Sequence, residues 1–240
     1  MVYNNEFKID LYFQKNYGLP AKPKGIKWNK PKNIIILLIF WWLSLIFFLI
    51  KQSKVNKEIS QWEEAYQYRL NNWYKEFDKF YAKAEAAMDL KNKGMAKLGI
   101  VEEQLQEVKP FYIYGPKFDG YYRPISGGGY RSSRYEFTYI FFTEDQVLFY
   151  TRDLDLLQLD KKKESTQEYF YQDITSISTT TTSKEVKNTL EDNKSEEVET
   201  EAFVIIVPGD KVSLAYTGNE TTNESVKGMK NLLRNKKMSK

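Results

Sequence analysis

Histidine and cysteine are both absent from the 240 residues, and their absence removes most of the side-chain chemistry a chain can offer. Without imidazole or thiol there is no disulfide, no thiolate nucleophile, no zinc site of the usual ligands and no triad with a histidine base. General acid–base work would fall to carboxylates, tyrosines or lysines. Asp119, Asp145, Asp173 and Asp210 stand at positions that read as turns and solvated faces, and no two carboxylates share a spacing that brings them together. No catalytic centre, metal site or cofactor is expected, and the chemistry left is recognition. ISGGGYRSSR (125–134) sets three glycines beside Arg131 and Arg134, with Arg123 just upstream. These three arginines are the candidate contacts for an anion or a lipid headgroup. The stretch lacks the Gly-Lys-Ser/Thr ending and following helix of a phosphate-binding loop, so it reads as a hairpin loop.

The elements that must position such a surface begin with an apolar run. Ile34–Ile50 reads IIILLIFWWLSLIFFLI, without a charge and with Ser44 as its one hydroxyl. It is apolar on every helical face, whereas a helix in a soluble domain keeps one wet face. At ~1.5 Å per residue it covers about 25 Å, close to a hydrocarbon core once its flanks are added. The run predicts a single transmembrane helix over residues 33–51 and a cell-membrane location. KQSKVNK follows in place of a small-residue cleavage site, so an uncleaved signal anchor is expected rather than a cleaved leader. Trp41 and Trp42 lie near its middle, away from the interfaces that membrane tryptophans favour, and suggest a face packed on another helix.

Charge is unevenly placed. Residues 1–32 hold seven lysines against Glu6 and Asp10, a net +5, which leaves the rest of this +4 chain at −1. Lys22, Lys24, Lys27, Lys30 and Lys32 are suited to anionic lipid headgroups. No basic face with interleaved aromatics follows, so nucleic acid is not an expected partner. Pro20, Pro23 and Pro31 block a helix there, and residues 1–32 read as a basic, partly disordered arm. Five lysines before the anchor against Lys51, Lys54 and Lys57 after it favour a cytoplasmic N-terminus and an exterior C-terminal domain.

After the anchor, residues 52–109 read as an amphipathic helical hairpin. Ile59, Trp62, Tyr66, Leu70, Trp73, Phe77, Phe80, Ala84 and Ala87 recur at helical spacing, and a stripe this aromatic must be buried against something. Two covers are open: the chain's own following helix, or a second copy in a coiled-coil stalk. The association face comprises Ile59, Trp62, Tyr66, Leu70, Trp73, Phe77 and Phe80. Gly94 and Gly99 mark breaks, and a second helix is expected at about Ile100–Val108, ending before Pro110.

From Phe111 the periodicity becomes two. YEFTYIFFT (135–143) and QVLFYTR (146–152) predict adjacent strands, and LDLLQLD (154–160) continues the second or forms a third. TQEYFYQDITSISTTTT (166–182) predicts two strands bent at Gln172 and Asp173. EAFVIIVP (201–208) and KVSLAYT (211–217) predict a hairpin across Pro208, Gly209 and Asp210. SKEVKNTLEDNKSEEVE (183–199) reads as a solvated loop or disordered insertion. A closing helix starts with the capping-box pair Thr221 and Glu224 and carries Val226, Met229, Leu232 and Leu233 on one face.

TEDQVLFYTR, YFYQDITSIST and FVIIVPGDKVSLAYTG, followed by an amphipathic helix, resemble phrases of the bacterial pleckstrin-homology-like and GRAM-like domains. KLGIVEEQLQEVKPF with RSSRYEFTYIFFTEDQV further resembles a group of uncharacterised membrane-anchored proteins of low-GC Gram-positive bacteria. The resemblance covers a little over half the chain. It implies an α+β chain in which residues 110–240 form a bent antiparallel sheet or barrel of about seven strands closed by a C-terminal helix. It also implies binding of lipid headgroups, peptides or partner subunits rather than catalysis, and a domain working in the cytoplasm, opposite to the lysine bias. The expected function is a membrane-tethered binding module for a protein partner or the membrane surface. The alternative is an assembly subunit, a homo-oligomer included, joined through the aromatic helix 59–87.

Overall fold

The computed structural model describes residues 3–26, 41–105, 109–117, 119–124, 130–188, 194–216 and 220–238, in two compact units, Met1–Lys79 and Phe80–Lys240. Among the described residues no helix is long and apolar enough to cross a membrane. This corrects the single transmembrane helix expected over 33–51 and the cell-membrane location built on it. Residues 33–40 of that stretch lie outside the described residues. Its remainder opens α2, Trp41–Ala86, which runs on through a charged sequence. The described apolar part of α2 ends at Ile50 and covers about 15 Å, half a hydrocarbon core. Trp42, Leu43, Ile46, Phe47 and Ile50 are exposed on it. Without glycine or proline between Trp41 and Ala86, nothing in the sequence interrupts α2.

In the first unit the cover over the aromatic stripe is the N-terminal arm, in place of either a second helix or a coiled-coil partner. The arm contains a single helical turn, α1 (Ile9–Tyr12), and a 3-10 turn at Lys15–Gly18. Tyr12, Phe13, Tyr17 and Leu19 of the arm and Trp62, Ala65, Trp73 and Phe77 of α2 are buried. The arm read as partly disordered thus has a core of its own through Leu19, because α2 supplies the apolar surface that so short a segment lacks.

The second unit is built on three antiparallel sheets. The first has the order β1 (Phe111–Pro116), β4 (Arg134–Phe142), β5 (Gln146–Asp155), β6 (Glu164–Phe170). The second is β7 (Ser176–Asn188), β8 (Lys194–Val207), β9 (Asp210–Tyr216), and β2 (Tyr122–Pro124) pairs with β3 (Tyr130–Ser132) as a ribbon. β1 and β9 run beside each other without sharing a ladder, so the sheets do not close and the expected barrel is corrected to separate sheets. Ile113, Ile140, Phe142, Val147 and Phe149 of the first sheet meet Phe203, Ile205, Val212 and Leu214 of the second in one core. The C-terminal helix α4 (Glu220–Met238) adds Val226, Met229 and Leu233 to it.

The opposite face of the first sheet, with Phe137, Phe141, Leu148 and Tyr150, is covered from the helical side. α3 (Leu90–Leu98) crosses it at Gly94, where a Cβ would stand 2.9 Å from the Phe141 ring. The second helix therefore lies earlier than the expected 100–108. Gly94 is inside it because the sheet comes too close for a side chain, and Gly99 ends it at φ +66°. Residues 106–108 lie outside the described set, and Glu102–Gln104 form a 3-10 turn.

In the segment 183–199, expected as a solvated loop or disordered insertion, residues 183–188 and 194–199 instead prolong the β7–β8 ladder to the pair Asn188↔Lys194, and residues 189–193 lie outside the described residues. Val198 of this extension packs under Tyr122 and Tyr130 of the β2–β3 ribbon. One apolar residue per stretch of charge suffices, since the ladder itself satisfies the backbone.

Candidate functional site

Sheet edges are where a β unit meets other chains, because an edge strand offers a row of unpaired backbone donors and acceptors. The two sheets have four edges, and they are not equivalent. Those of β1 and β9 lie along each other. That of β6 carries Glu164 and Glu168, charges of the kind that discourage strand pairing. Among the described residues β7 has β8 as its one strand neighbour, and from Ser176 to Ser183 it carries neither charge nor proline. Its β-branched threonines favour the extended backbone that an added strand requires.

α4 flanks this edge. Lys230 Nζ donates to Thr179 Oγ1 at 3.1 Å. Lys236 Nζ donates to the Glu144 carbonyl at 3.2 Å and lies 5.7 Å from the centre of the Tyr171 ring. Burial raises the pKa of Tyr171, and its hydroxyl donates to the Thr143 carbonyl at 3.0 Å. Between the start of β7 and α4 is a cavity of about 150 Å³ lined by Ile174, Thr175, Ser176, Ile177 and Arg234. Thr175 anchors its floor, with its N–H and Oγ1 both donating to the Ile206 carbonyl, at 2.8 and 2.9 Å. Arg234 is exposed and has no hydrogen-bond or ion-pair partner among the described residues. The groove thus combines an open strand edge, an apolar wall at Ile174 and Ile177, and a cation. It holds no arrangement for acid–base chemistry. Among the described residues no group of acidic side chains is placed to hold a metal.

The three arginines expected to contact an anion are placed elsewhere. Arg134 opens β4 among carboxylates: Nη1 is 2.6 Å from Asp119 Oδ2, Nη2 3.5 Å from Asp153 and Nε 3.7 Å from Asp155. Lys117 adds a second cation 3.1 Å from Asp153 and 3.3 Å from Glu136. Asp153 is only 8% exposed, and both cations of the cluster are engaged by its four carboxylates, Asp119, Glu136, Asp153 and Asp155, so that Arg134 is not free for an anion. Arg123 and Arg131 face each other as register partners on the β2–β3 ribbon, and neither lacks a contact partner. Residues 125–129 of the glycine-rich loop, and Lys27, Lys30 and Lys32 of the basic arm, lie outside the described residues. Lys22 pairs with Glu63 at 2.6 Å.

The expected association face is turned relative to its sequence pattern. Trp62, Trp73 and Phe77 are buried and Ile59, Tyr66 and Phe80 partly so, but Leu70 is exposed. Its place is taken by Arg69, 4% exposed, which reasoning from apolar spacing passed over. Arg69 Nη1 donates to the Tyr17 carbonyl at 2.5 Å, and Nη2 donates to the Asn4 carbonyl. Its guanidinium lies 4.6 Å from the Trp73 ring centre, and burial lowers its pKa from the usual arginine value. The signal was available: Arg69 stands seven residues after Trp62 and four before Trp73, on the stripe itself.

No protein-family model matches the chain, and no curated protein or solved structure is similar to it.

Proposed function

We propose that the C-terminal unit is a non-catalytic binding module that docks a protein partner by taking an extended segment along the open edge of β7. The observation that carries this reading is the uncharged, proline-free edge from Ser176 to Ser183 beside the cavity at Ile174, Ile177 and Arg234. Main-chain pairing would supply affinity at about 0.5–1.5 kcal/mol net per hydrogen bond, and the cavity would select a side chain. The function rests on the groove and not on a likeness of fold.

The test uses the full chain to select binders from a random peptide display library, with amide hydrogen exchange to locate them. Binders are expected to protect the amides of 176–183 and to lose at least tenfold in affinity in Thr180→Lys, because an edge lysine opposes strand addition. Thr180 is exposed, so thermal stability should hold within about 0.5 kcal/mol. Binders that leave β7 unprotected, or that bind Thr180→Lys equally, would refute the reading.

A further inference from the structure

The groove beside β7 has a charged wall as well as an open edge. Val226, Met229 and Leu233 hold α4 on the core. On the flank toward β7, Lys230 Nζ meets Thr179 Oγ1 at 3.1 Å, and Arg234 lines the cavity with Ser176 and Ile177. Helix and strand therefore run side by side in opposite directions. Lys227 stands three residues before Lys230, and Arg234 four after it, so the three cations share one stripe of α4. Among the described residues α4 makes no main-chain hydrogen bond to the edge at 176–181, and its side chains overlook that edge without closing it.

Two ordinary reasons for a cation on a helix do not account for this stripe. The first is a carboxylate partner. Lys97, Lys117 and Arg134, laid against the first sheet, each meet one, in Glu164, Asp153 and Asp119. Lys227, Lys230 and Arg234 have no ion-pair partner among the described residues, and α4 carries no acidic residue after Glu224. The second is the helix dipole, which favours cations within the last turn. Lys236 occupies that turn, and the stripe lies ahead of it.

We infer, resting on the edge docking proposed above, that the segment taken up by β7 is acidic, with a carboxylate at every second residue turned toward α4. Side chains of an added strand alternate between the two faces of the sheet. The face shared with Ile177 and Thr179 is the one that Arg234 and Lys230 overlook. From Lys230 to Arg234 the helix rises ~6.0 Å, and two residues of strand advance ~6.6 Å. Acids at alternate positions of an extended chain therefore stand one opposite each cation. Consecutive acids cannot, since half of them turn to the far face.

Three short fluorescent peptides test this on the full chain. The first alternates glutamate with valine and threonine, the second has glutamine in place of every glutamate, and the third has the first one's composition with its glutamates consecutive. Anisotropy reads affinity, and amide hydrogen exchange of 176–181 reads edge pairing. The alternating glutamate peptide should protect these amides and bind about tenfold tighter than either of the others, because exposed ion pairs are individually weak and add up only in register. Lys227 and Arg234 are exposed and Lys230 partly so, so the triple variant Lys227→Gln, Lys230→Gln, Arg234→Gln should keep its melting temperature. It should bind the glutamate peptide no better than the glutamine one, whose own affinity stays unchanged. Raising salt to ~0.5 M should have the same effect. Equal affinity for the glutamate and glutamine peptides, with both protecting 176–181, overturns the acidic partner and leaves edge docking standing. Equal affinity for the alternating and consecutive peptides overturns the register. Absence of protection at 176–181 with every peptide overturns edge docking and the acidic strand together. Displacement of the peptide by phosphatidylglycerol vesicles, to which the triple variant no longer binds, overturns the acidic strand in favour of a lipid surface.

Discussion

Replacing Arg69 by methionine is the perturbation that separates an arm held by polar contacts from one held by rings alone. The side chain donates two hydrogen bonds from a charged group to the Tyr17 and Asn4 carbonyls, each worth about 1.5–3 kcal/mol. It also lies over the Trp73 ring, worth about 0.5–1 kcal/mol. Against this, methionine relieves the desolvation of a buried guanidinium, a saving of several kcal/mol in principle, and keeps much of the aliphatic packing. A net loss of about 3 kcal/mol for arm docking follows, which at 1.4 kcal/mol per decade is about a 150-fold shift in the opening equilibrium. Hydrogen exchange reads this locally. The amides of Tyr12, Tyr17 and Leu19, which donate to Lys8, Gln14 and Asn16 within the arm, should lose about two decades of protection, while β4 and β5 keep theirs. Arg69→Lys should recover little, because an ammonium cannot fork to two carbonyls. Arm amides that keep their protection within about threefold in Arg69→Met would refute the reasoning, since burial of Tyr12, Phe13 and Tyr17 would then hold the arm unaided.

Two further outcomes follow from the second unit. Gly94→Ala gains about 1 kcal/mol of helix propensity but drives a Cβ to 2.9 Å from the buried Phe141 ring and 3.1 Å from Tyr150 Cβ, at about 1–3 kcal/mol. Calorimetry should show a fall of about 2–6 °C in melting temperature, and a rise would mean that the ring gives way freely. Tyr169 donates to Asp210 Oδ2 at 2.6 Å. Its pKa is pushed up to about 12 by burial and then by this bond, while the bond from Tyr169 and the Lys211 amide lower that of Asp210. The raised tyrosine stabilises the fold fully below the ordinary tyrosine pKa of about 10, and that contribution is lost as pH rises through about 12. The lowered carboxyl contributes above its ordinary range, and its share is lost as pH falls through the depressed value. Tyr169→Phe should flatten the fall in melting temperature between pH ~10 and ~12 and return the Asp210 titration, followed by NMR, toward the ordinary carboxylate value. An unchanged alkaline slope would show that Tyr169 is not held by this bond.

Much of the strand pattern was legible because burial on one face of a sheet imposes a two-residue period. YEFTYIFFT and QVLFYTR do form the adjacent pair β4 and β5, with Thr138 opposite Thr151 and their hydroxyls 2.9 Å apart. The hairpin across Gly209, at φ +82°, and the apolar face of the closing helix follow from equally local rules. Which strand lies at an edge is not a local property. The run of threonines in β7 reads as a strand whether or not another lies beside it. Its openness depends on β9 lying along β1 instead of beside β7, a contact between residues distant in sequence.

The same division explains the arm and Gly94. By itself the sequence determined that α2 is helical and that an aromatic stripe along it must be buried, because period and composition are carried by neighbouring residues. Tertiary structure alone decided what buries it. The arm has too little apolar surface to order itself, and its rings and carbonyls acquire a role only against Trp62, Arg69, Trp73 and Phe77, some forty to seventy residues away. Gly94 reads as a helix break from propensity, yet it sits inside α3 because the sheet approaches closer than a Cβ allows. A free energy of approach between distant segments leaves no mark on the local pattern, and only the folded chain shows where it prevails.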